Sequence, residues 1–312
     1  MTAPAPAIPP RVGAVVVSYF PDAGFSQRLA AVAREAGPVL VVDNSAEDAM
    51  RAALRGICAA HHARLVENPE NRGMGAALNQ AFHILRDEGV EWAIAFDQDS
   101  TPEPGFAAAL LAAAATSGPA AAVGANWRDE ARPAFASRHL HRHAHLPLCF
   151  SRSAAHRDLR DVTCVITSGT LFHLPTAERI GLFDEGLFLD LVDTDFCLRA
   201  RASGHALCVA AAAHLLHRRG AKRPIRVAGR TWWPAFMPPL RLFLLFRNRV
   251  LLIRRHGLRA PHWVFFELVY TAKVLAEILF FEDRKAARLG ACLRGTWHGL
   301  LGRHGPPARV QP

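Results

Sequence analysis

The 312 residues are enough for one large or two modest domains, and a 51% hydrophobic share excludes a chain disordered throughout. The net charge of +10 is unevenly placed: residues 1–216 carry 18 Arg+Lys against 23 Asp+Glu, and residues 217–312 carry 19 against 4. A basic tail of that kind meets nucleic acid or an anionic membrane. The six cysteines form no C-x-x-C pair, which points to reduced thiols rather than a disulfide framework or a zinc site. Pro-rich residues 3–10 precede the first apolar run, and no signal-type cleavage flank accompanies them.

In chain order, Val12 to Tyr19 is a β-branched apolar run closed by Phe20-Pro21, which predicts a first strand. Helical spacing over 23–36 stops at Gly37-Pro38, and Val39 to Val42 predicts a second strand ending in Asp43-Asn44-Ser45. A helix over 47–61, a short strand from Ala63 to Glu67 and a helix from Met74 to Leu85 follow. The run Ala93-Ile94-Ala95-Phe96 then reads as a buried parallel strand that ends in Asp97-Gln98-Asp99-Ser100. Side chains two apart on a strand point the same way, so a strand carried to its tip would project Asp97 and Asp99 together. Two hard oxygen ligands there suit Mg²⁺ or Mn²⁺ beside a diphosphate, though Asp-x-Asp is also common in turns and helix caps. The stretch alone does not choose between those readings.

A helix at 104–116 and a small strand from Ala120 to Gly124 come next. Residues 126–161 are rich in Arg and His with little periodicity, and they read as a mobile or substrate-facing loop. The alternating His139, His141, His143 and His145 lack Cys or acidic partners, so a solvated stretch outweighs a metal tract. Val162 to Thr167 predicts a strand entering Ser168-Gly169, and a helix follows at 175–181. The acidic segment Asp190 to Asp195 reads as a loop entering a helix, with Asp193 its N-cap and Gly204 its stop. His205 to Ala210 predicts a final strand, with His214 and His217 beyond it.

The last third is strongly apolar over 240–253 and again over 262–281. Glu267, Lys273 and Glu277 argue against a membrane span. At about 100° per residue these three share one arc opposite Phe265, Leu268, Ala272, Ala276 and Leu279, which predicts an amphipathic helix. Its apolar side is expected to dock on the domain while a basic rim faces anionic lipid.

Alternating strands and helices predict an α/β fold with βαβ units on a parallel sheet. Such a fold would gather Ser18-Tyr19, Asp43-Asn44-Ser45, Asn71-Arg72-Gly73, Asp97-Gln98-Asp99 and Asp190 to Asp195 along one crevice. The ordered pieces Val15 to Tyr19, Val42 to Ser45, Asn68-x-x-Asn71-Arg72-Gly73-x-Gly75-x-Ala77-x-Asn79, Asp97 to Ser100, Thr167-Ser168-Gly169, Val192 to Ala200, His217-x-x-Gly220 and Arg241-x₅-Arg247-Asn248 resemble an inverting glycosyltransferase of family 2. The closest likeness is to its rhamnosyltransferase-like subgroup.

That resemblance implies a GT-A fold, Rossmann-like with a mainly parallel central sheet flanked by helices and a C-terminal helical extension. It divides the chain into a disordered Pro-rich 1–11, a catalytic domain at 12–225, an amphipathic and basic helical region at 226–304 and a disordered tail at 305–312. The donor nucleotide would lie on Ser18, Tyr19, Asp43, Arg72, Gly73 and Asp97, with Asp43 accepting the N3–H of uracil or thymine. Gly73 and Gly75 would let the backbone pass close to the nucleotide. Asp97, Asp99 and His217 would hold Mg²⁺ or Mn²⁺, with His214 a competitor for the last place. Asp193 would be the general base, in a Val192-Asp193 pair where the family has Glu-Asp. Asp195 is the runner-up base, and Asp190, Asp195, Ser168 and Gly169 would border the acceptor or sugar.

The implied reaction moves rhamnose from dTDP-rhamnose onto a glycan or lipid-linked acceptor, at the cytoplasmic face of the inner membrane. Phe243 and Leu244 replace the subgroup's tyrosine pair, so the hydroxyl contacts of that pair are lost. Competing readings are a UDP- or GDP-sugar donor, a basic nucleic-acid-binding protein and a nucleotidyltransferase. The tail's long apolar runs and the absence of a stacking platform weigh against nucleic acid. The first strand lacks the glycine-rich phosphate loop that the nucleotidyltransferase needs.

Overall fold

Four apolar runs separated by amphipathic segments build the first half of the molecule, as βαβ logic requires. In the computed structural model they are β1 (Val12–Ser18), β2 (Val39–Asp43), β3 (Arg64–Glu67) and β4 (Trp92–Asp97), joined by α1 (Phe25–Glu35), α2 (Asp48–Ala60) and α3 (Gly73–Asp87). The structure describes residues 11–307 apart from 119, 131, 142–148, 153–156, 219–223 and 228. The four strands lie parallel in the order β3-β2-β1-β4, with Ser18 level with Asp43 and Val17 level with Asp97. Three polar strand ends therefore share one edge of the sheet.

Beyond β4 the chain turns at Gln98–Asp99 and re-enters the sheet as β5 (Ser100–Pro102). Then come α4 (Phe106–Thr116), β6 (Ala120–Asp129), β7 (Arg132–Ala136), β8 (Arg138–His141), β9 (Cys149–Arg152), β10 (Thr170–His173), α5 (Leu174–Ile180), α6 (Val192–Ala202) and β11 (Ala206–His217). The full order is β3-β2-β1-β4-β10-β6-β11-β5, with β7 on β6. β10 runs antiparallel between β4 and β6, and β11 runs parallel to β6. The fold is GT-A-like, as the resemblance implied.

Two expectations change here. Residues 126–161 are not one loop: β6 continues to Asp129, and β8 pairs with β9 in a separate ribbon. His139 in that ribbon is buried beside Ser137 Oγ at 3.1 Å, and burial lowers its pKa to about 4, so it is a neutral packing residue. The side chain of His141, and His143 and His145, lie outside the described residues. The strand expected at Val162 to Thr167 is displaced to β10. Gly169, at φ +74°, turns the chain so that Thr170 to His173 take the ladder place beside β4.

Both faces of the sheet are buried, because alternate strand residues serve opposite layers. Val15, Val17, Leu40, Val42, Ala93 and Ala95 pack with α3 and α6, whereas Ala14, Val16, Val39, Val41, Ile94 and Phe96 pack with α1 and α4. The strands β12 (Ile225–Val227) and β13 (Arg230–Trp232) form a hairpin ahead of α7 (Pro239–His256), α8 (Pro261–Phe281) and α9 (Lys285–Leu300). Leu251, Leu252 and Trp263 join the same buried cluster as Phe172 and Phe196. α7 and the start of α8 thus pack into the same core as the sheet layer. α9 lies directly on α7: a Cβ at Gly295 would stand 2.3 Å from the Phe243 carbonyl oxygen.

Candidate active site

The sheet edge that collects the strand ends also collects the polar groups. Asp43, at the tip of β2, is fully buried; its Oδ1 accepts from Ser18 Oγ at 2.9 Å and Ser45 Oγ at 2.7 Å. Its Oδ2 is buried with no hydrogen-bond partner among the described residues. A buried carboxylate oxygen left open is costly unless a donor arrives, so this atom has the chemistry to take a ligand N–H. Tyr19 is held at the same edge by Gln98, which accepts from its N–H at 2.6 Å and donates to its carbonyl at 3.0 Å.

Asp97, Asp99 and His217 come together, with one ligand atom of each lying within 4.8 Å of the others. The reason is register more than strand alternation. Asp97 ends β4, Asp99 sits in the turn, and the β5–β11 pairing sets His217 level with Ser100. A bulge in β11 contributes as well. Between Ala210↔Ala125 and His214↔Asn126, β11 advances four residues while β6 advances one. Such bulges re-aim side chains. His214 is left facing Asn126 Nδ2 at 3.5 Å, so of the two histidines it is His217 that stands with the two carboxylates.

His217 Nε2 stands 3.8 Å from Asp97 Oδ2 and its Nδ1 3.3 Å from Asp99 Oδ1. Ser100 Oγ lies 2.8 Å from His217 Nδ1 and 2.7 Å from Ser168 Oγ, which also accepts the Asp97 N–H at 3.0 Å. An Nδ1–H donated to Ser100 would make Nε2, on the Asp97 side, the ligating nitrogen, the arrangement that metal-ligating histidines use. Asp99 Oδ1 is buried and makes no hydrogen bond. An orphaned hard oxygen beside a second carboxylate and an oriented imidazole fits a divalent cation. Burial raises the Asp97 pKa and Asp99 adds to the rise, while His217 and Arg241 oppose it.

Ser168 and Gly169, expected to border the acceptor, lie beneath this cluster. Ser168 is buried and props Asp97 and Ser100; Gly169 packs against Leu215 and Ala125, and its N–H binds the Ala95 carbonyl. Gly73 is likewise placed for packing. Its φ of +81° and a Cβ position 2.3 Å from the Phe188 carbonyl oxygen admit only glycine, and Gly75 abuts Asp184. Both glycines make a close approach to the loop before α6. Asn44 ties this region together, accepting from Asn68 Nδ2 and donating to the Gly73 carbonyl. The Arg72 side chain is exposed, and it lines a cleft with Asn71, Glu185 and Gly186.

The facing wall is the start of α6. Its N-cap is Leu191, so Asp193 is not the cap but lies inside the first turn. Asp193 Oδ1 accepts the Thr194 N–H at 2.7 Å. Burial pushes its pKa up to about 6 against that hydrogen bond, helped by the charges of Asp97 and Asp190. Asp97 and Asp190 are thus near enough for their charges to act on Asp193. Asp190 is paired with Arg241 at 3.0 Å, and Asp97 also raises the Arg241 pKa. Arg241 comes from α7, and its pairing with Asp190 could not be read from the Arg241-x₅-Arg247-Asn248 spacing.

Asp195 faces the other way. It is fully buried, with Arg199 at 2.7 Å, Arg255 at 2.8 Å and His256 at 2.9 Å. Burial pushes its pKa up, but His256, Arg199 and Arg255 outweigh that and hold it at about 2. It fastens α6 to α7 and does not reach the site. Asn248 completes the fastening, donating to the carbonyls of Leu187 and Asp190 at 2.8 and 2.7 Å.

Comparison with known proteins agrees with this geometry. Residues 29–181 match the model of Glycosyl transferase family 2. The chain is 27% identical over 281 residues to the dTDP-rhamnosyl transferase RfbF of Shigella flexneri, covering 84% of this chain and 88% of that one. In fold it is similar to S. aureus TarS 1–349 (TM-score 0.55, 12% identity, 93% of this chain and 80% of that one). It is also similar to the mannosyltransferase PcManGT from Pyrobaculum calidifontis, solved in complex with GDP-Man and Mn²⁺ (TM-score 0.51, 17% identity, 96% and 90%). Residues 29–181 thus carry a family 2 glycosyltransferase domain, and the chain is a nucleotide-sugar glycosyltransferase of GT-A-like fold whose sequence is similar to a dTDP-rhamnosyl transferase.

Proposed function

We propose that the protein transfers rhamnose from dTDP-rhamnose, with inversion, onto a hydroxyl of a glycan or lipid-linked acceptor in cell-surface polysaccharide or cell-wall assembly. The observation that carries this reading is the pairing of two walls: Asp97, Asp99 and His217 on the sheet edge, Asp193 and Asp190 on α6. Likeness to the Shigella flexneri dTDP-rhamnosyl transferase supports the donor. Asp43 Oδ2 accepts the N3–H of the donor's base, a group shared by thymine and uracil, so a UDP-sugar is the second reading.

Asp97, Asp99 and His217 would hold Mg²⁺ or Mn²⁺, which when bound supplies charge stabilisation at the leaving diphosphate. Asp193 takes the proton of the acceptor hydroxyl as its oxygen attacks the anomeric carbon. A carboxyl with pKa about 6 is largely ionised at neutral pH, yet basic enough to accept a proton. Arg241 holds Asp190 in place at the rim of the site. No described helix is long and apolar enough to cross a membrane, so we place the enzyme peripherally on an anionic membrane, at its cytoplasmic face. Nucleic acid is not a partner in this reading.

Calorimetry of dTDP-rhamnose, UDP-sugars and GDP-sugars, with and without Mn²⁺, tests the proposal. Mn²⁺-dependent binding of dTDP-rhamnose in preference to the others is expected. No metal-dependent binding of any donor would overturn it.

A further inference from the structure

Helix α8 is inverted relative to what its sequence predicts. Its acidic face points inward, where Glu267 is buried and paired with the equally buried Arg249 at 2.7 Å, and Glu277, also buried, accepts from Lys273. Its apolar face points outward. Phe265, Leu268, Val269, Leu279 and Phe280 are all exposed, Phe280 at 77%. At about 100° per residue these five fall within one third of the helix circumference. They form a continuous stripe along a helix of 21 residues. Single exposed apolar residues need no explanation, but an aligned stripe marks an interaction surface.

The charges identify what covers it. Arg259 lies just before α8, and Arg284 and Lys285 just after it, all exposed. Residues 217–312 carry 19 cations and 4 acids, and three of the acids, Glu267, Glu277 and Glu282, are buried. A second copy docked through the same stripe would set one cationic flank against another. An anionic bilayer surface satisfies both features, since acyl chains take the stripe and headgroups take the flanking cations. The Arg249–Glu267 pair fixes the rotation of the helix, because turning the stripe inward would strand a buried charge.

We infer that α8 is the lipid-docking element, lying in the plane of an anionic bilayer with Phe265, Leu268, Val269, Leu279 and Phe280 in the acyl boundary. This rests on the membrane association proposed above and gives it a surface. It also sets which side of the catalytic domain meets the membrane. α7 runs from Arg241, beside Asp190 at the site, to Arg249, which holds α8.

Vesicle flotation tests it, using phosphatidylcholine alone or with 30% phosphatidylglycerol as a ~chosen composition. The intact chain is expected to float with the anionic vesicles and not with phosphatidylcholine. Leu268→Asn with Phe280→Asn should lower partitioning at least about tenfold. Arg284→Gln with Lys285→Gln should lower it about tenfold or more on anionic vesicles, with the loss shrinking at high salt. Near-ultraviolet circular dichroism and donor binding should stay at parent values in both variants, since these side chains are exposed. If the parent chain floats but the α8 variants float equally well, this surface is wrong and membrane association stands. If the parent chain does not float, both are wrong. Sedimentation as a dimer that Leu268→Asn splits would assign the stripe to a second copy and overturn the inference.

Discussion

The two faces of α6 put the same residue type to opposite uses. Asp193 looks into the site with one hydrogen-bonded neighbour and two like charges, and its carboxyl is pushed up to about 6. Asp195, two residues on, looks into the packing layer and is held at about 2 by His256, Arg199 and Arg255. Asp195 is fully buried and Asp193 only partly, yet Asp195 has the lower pKa, so partners rather than burial set the difference. On the face proposed to line the site, the charge is left unstable enough to accept a proton. The packing face neutralises its charge completely and uses it to hold the helix against α7.

The largest expected effect is on the site face. Asp193→Asn should lower the transfer rate by about a hundred- to ten-thousand-fold with donor affinity within twofold, measured by single-turnover kinetics and calorimetry. The same variant should be more stable at pH 7, by about 1 kcal/mol in a thermal melt. The sign follows from the raised pKa: the ionised form is disfavoured in the fold, and that penalty disappears below about pH 4.

On the packing face the sign reverses. Asp195→Asn strands Arg199 and His256 and should cost about 3 kcal/mol of stability, read from denaturant midpoints. Because the Asp195 pKa is depressed, its contribution is fully present above about pH 4 and is lost as pH falls toward 2. Acid unfolding of the variant should therefore be flatter over that window. A smaller effect separates the two histidines of β11. His217→Ala should weaken Mn²⁺ binding at least about tenfold, whereas His214→Ala should leave it unchanged. Equal losses would place the cation elsewhere.

Much of the sheet edge was legible because parallel strands are read as short apolar runs and their polar ends are conspicuous. Ser18, Asp43, Asp97 and Asp99 fall where chain order placed them. The sequence was less informative where pairing decides. Val162 to Ile166 has the composition of a strand, yet Thr170 to His173 occupy the ladder because the turn at Gly169 delivers them to β4. Nothing local distinguishes Ser168 at an acceptor pocket from Ser168 beneath Asp97. The bulge that separates His217 from His214 is a property of the β6–β11 register. Helix α8 illustrates a further limit. Periodicity tells which residues share a face, but its direction depends on Arg249, eighteen positions away on α7.

The central claim is that α6 divides its two carboxylates between proton transfer and packing. It is tested most directly by the side-chain carboxyl ¹³C shifts of labelled aspartate, followed from pH 2 to pH 8 and assigned with Asp193→Asn and Asp195→Asn. One carboxyl should titrate near 6 and vanish in Asp193→Asn. The Asp195 signal should remain ionised to about pH 2. Titration of Asp193 at the ordinary aspartate value of 3.8 would contradict the account.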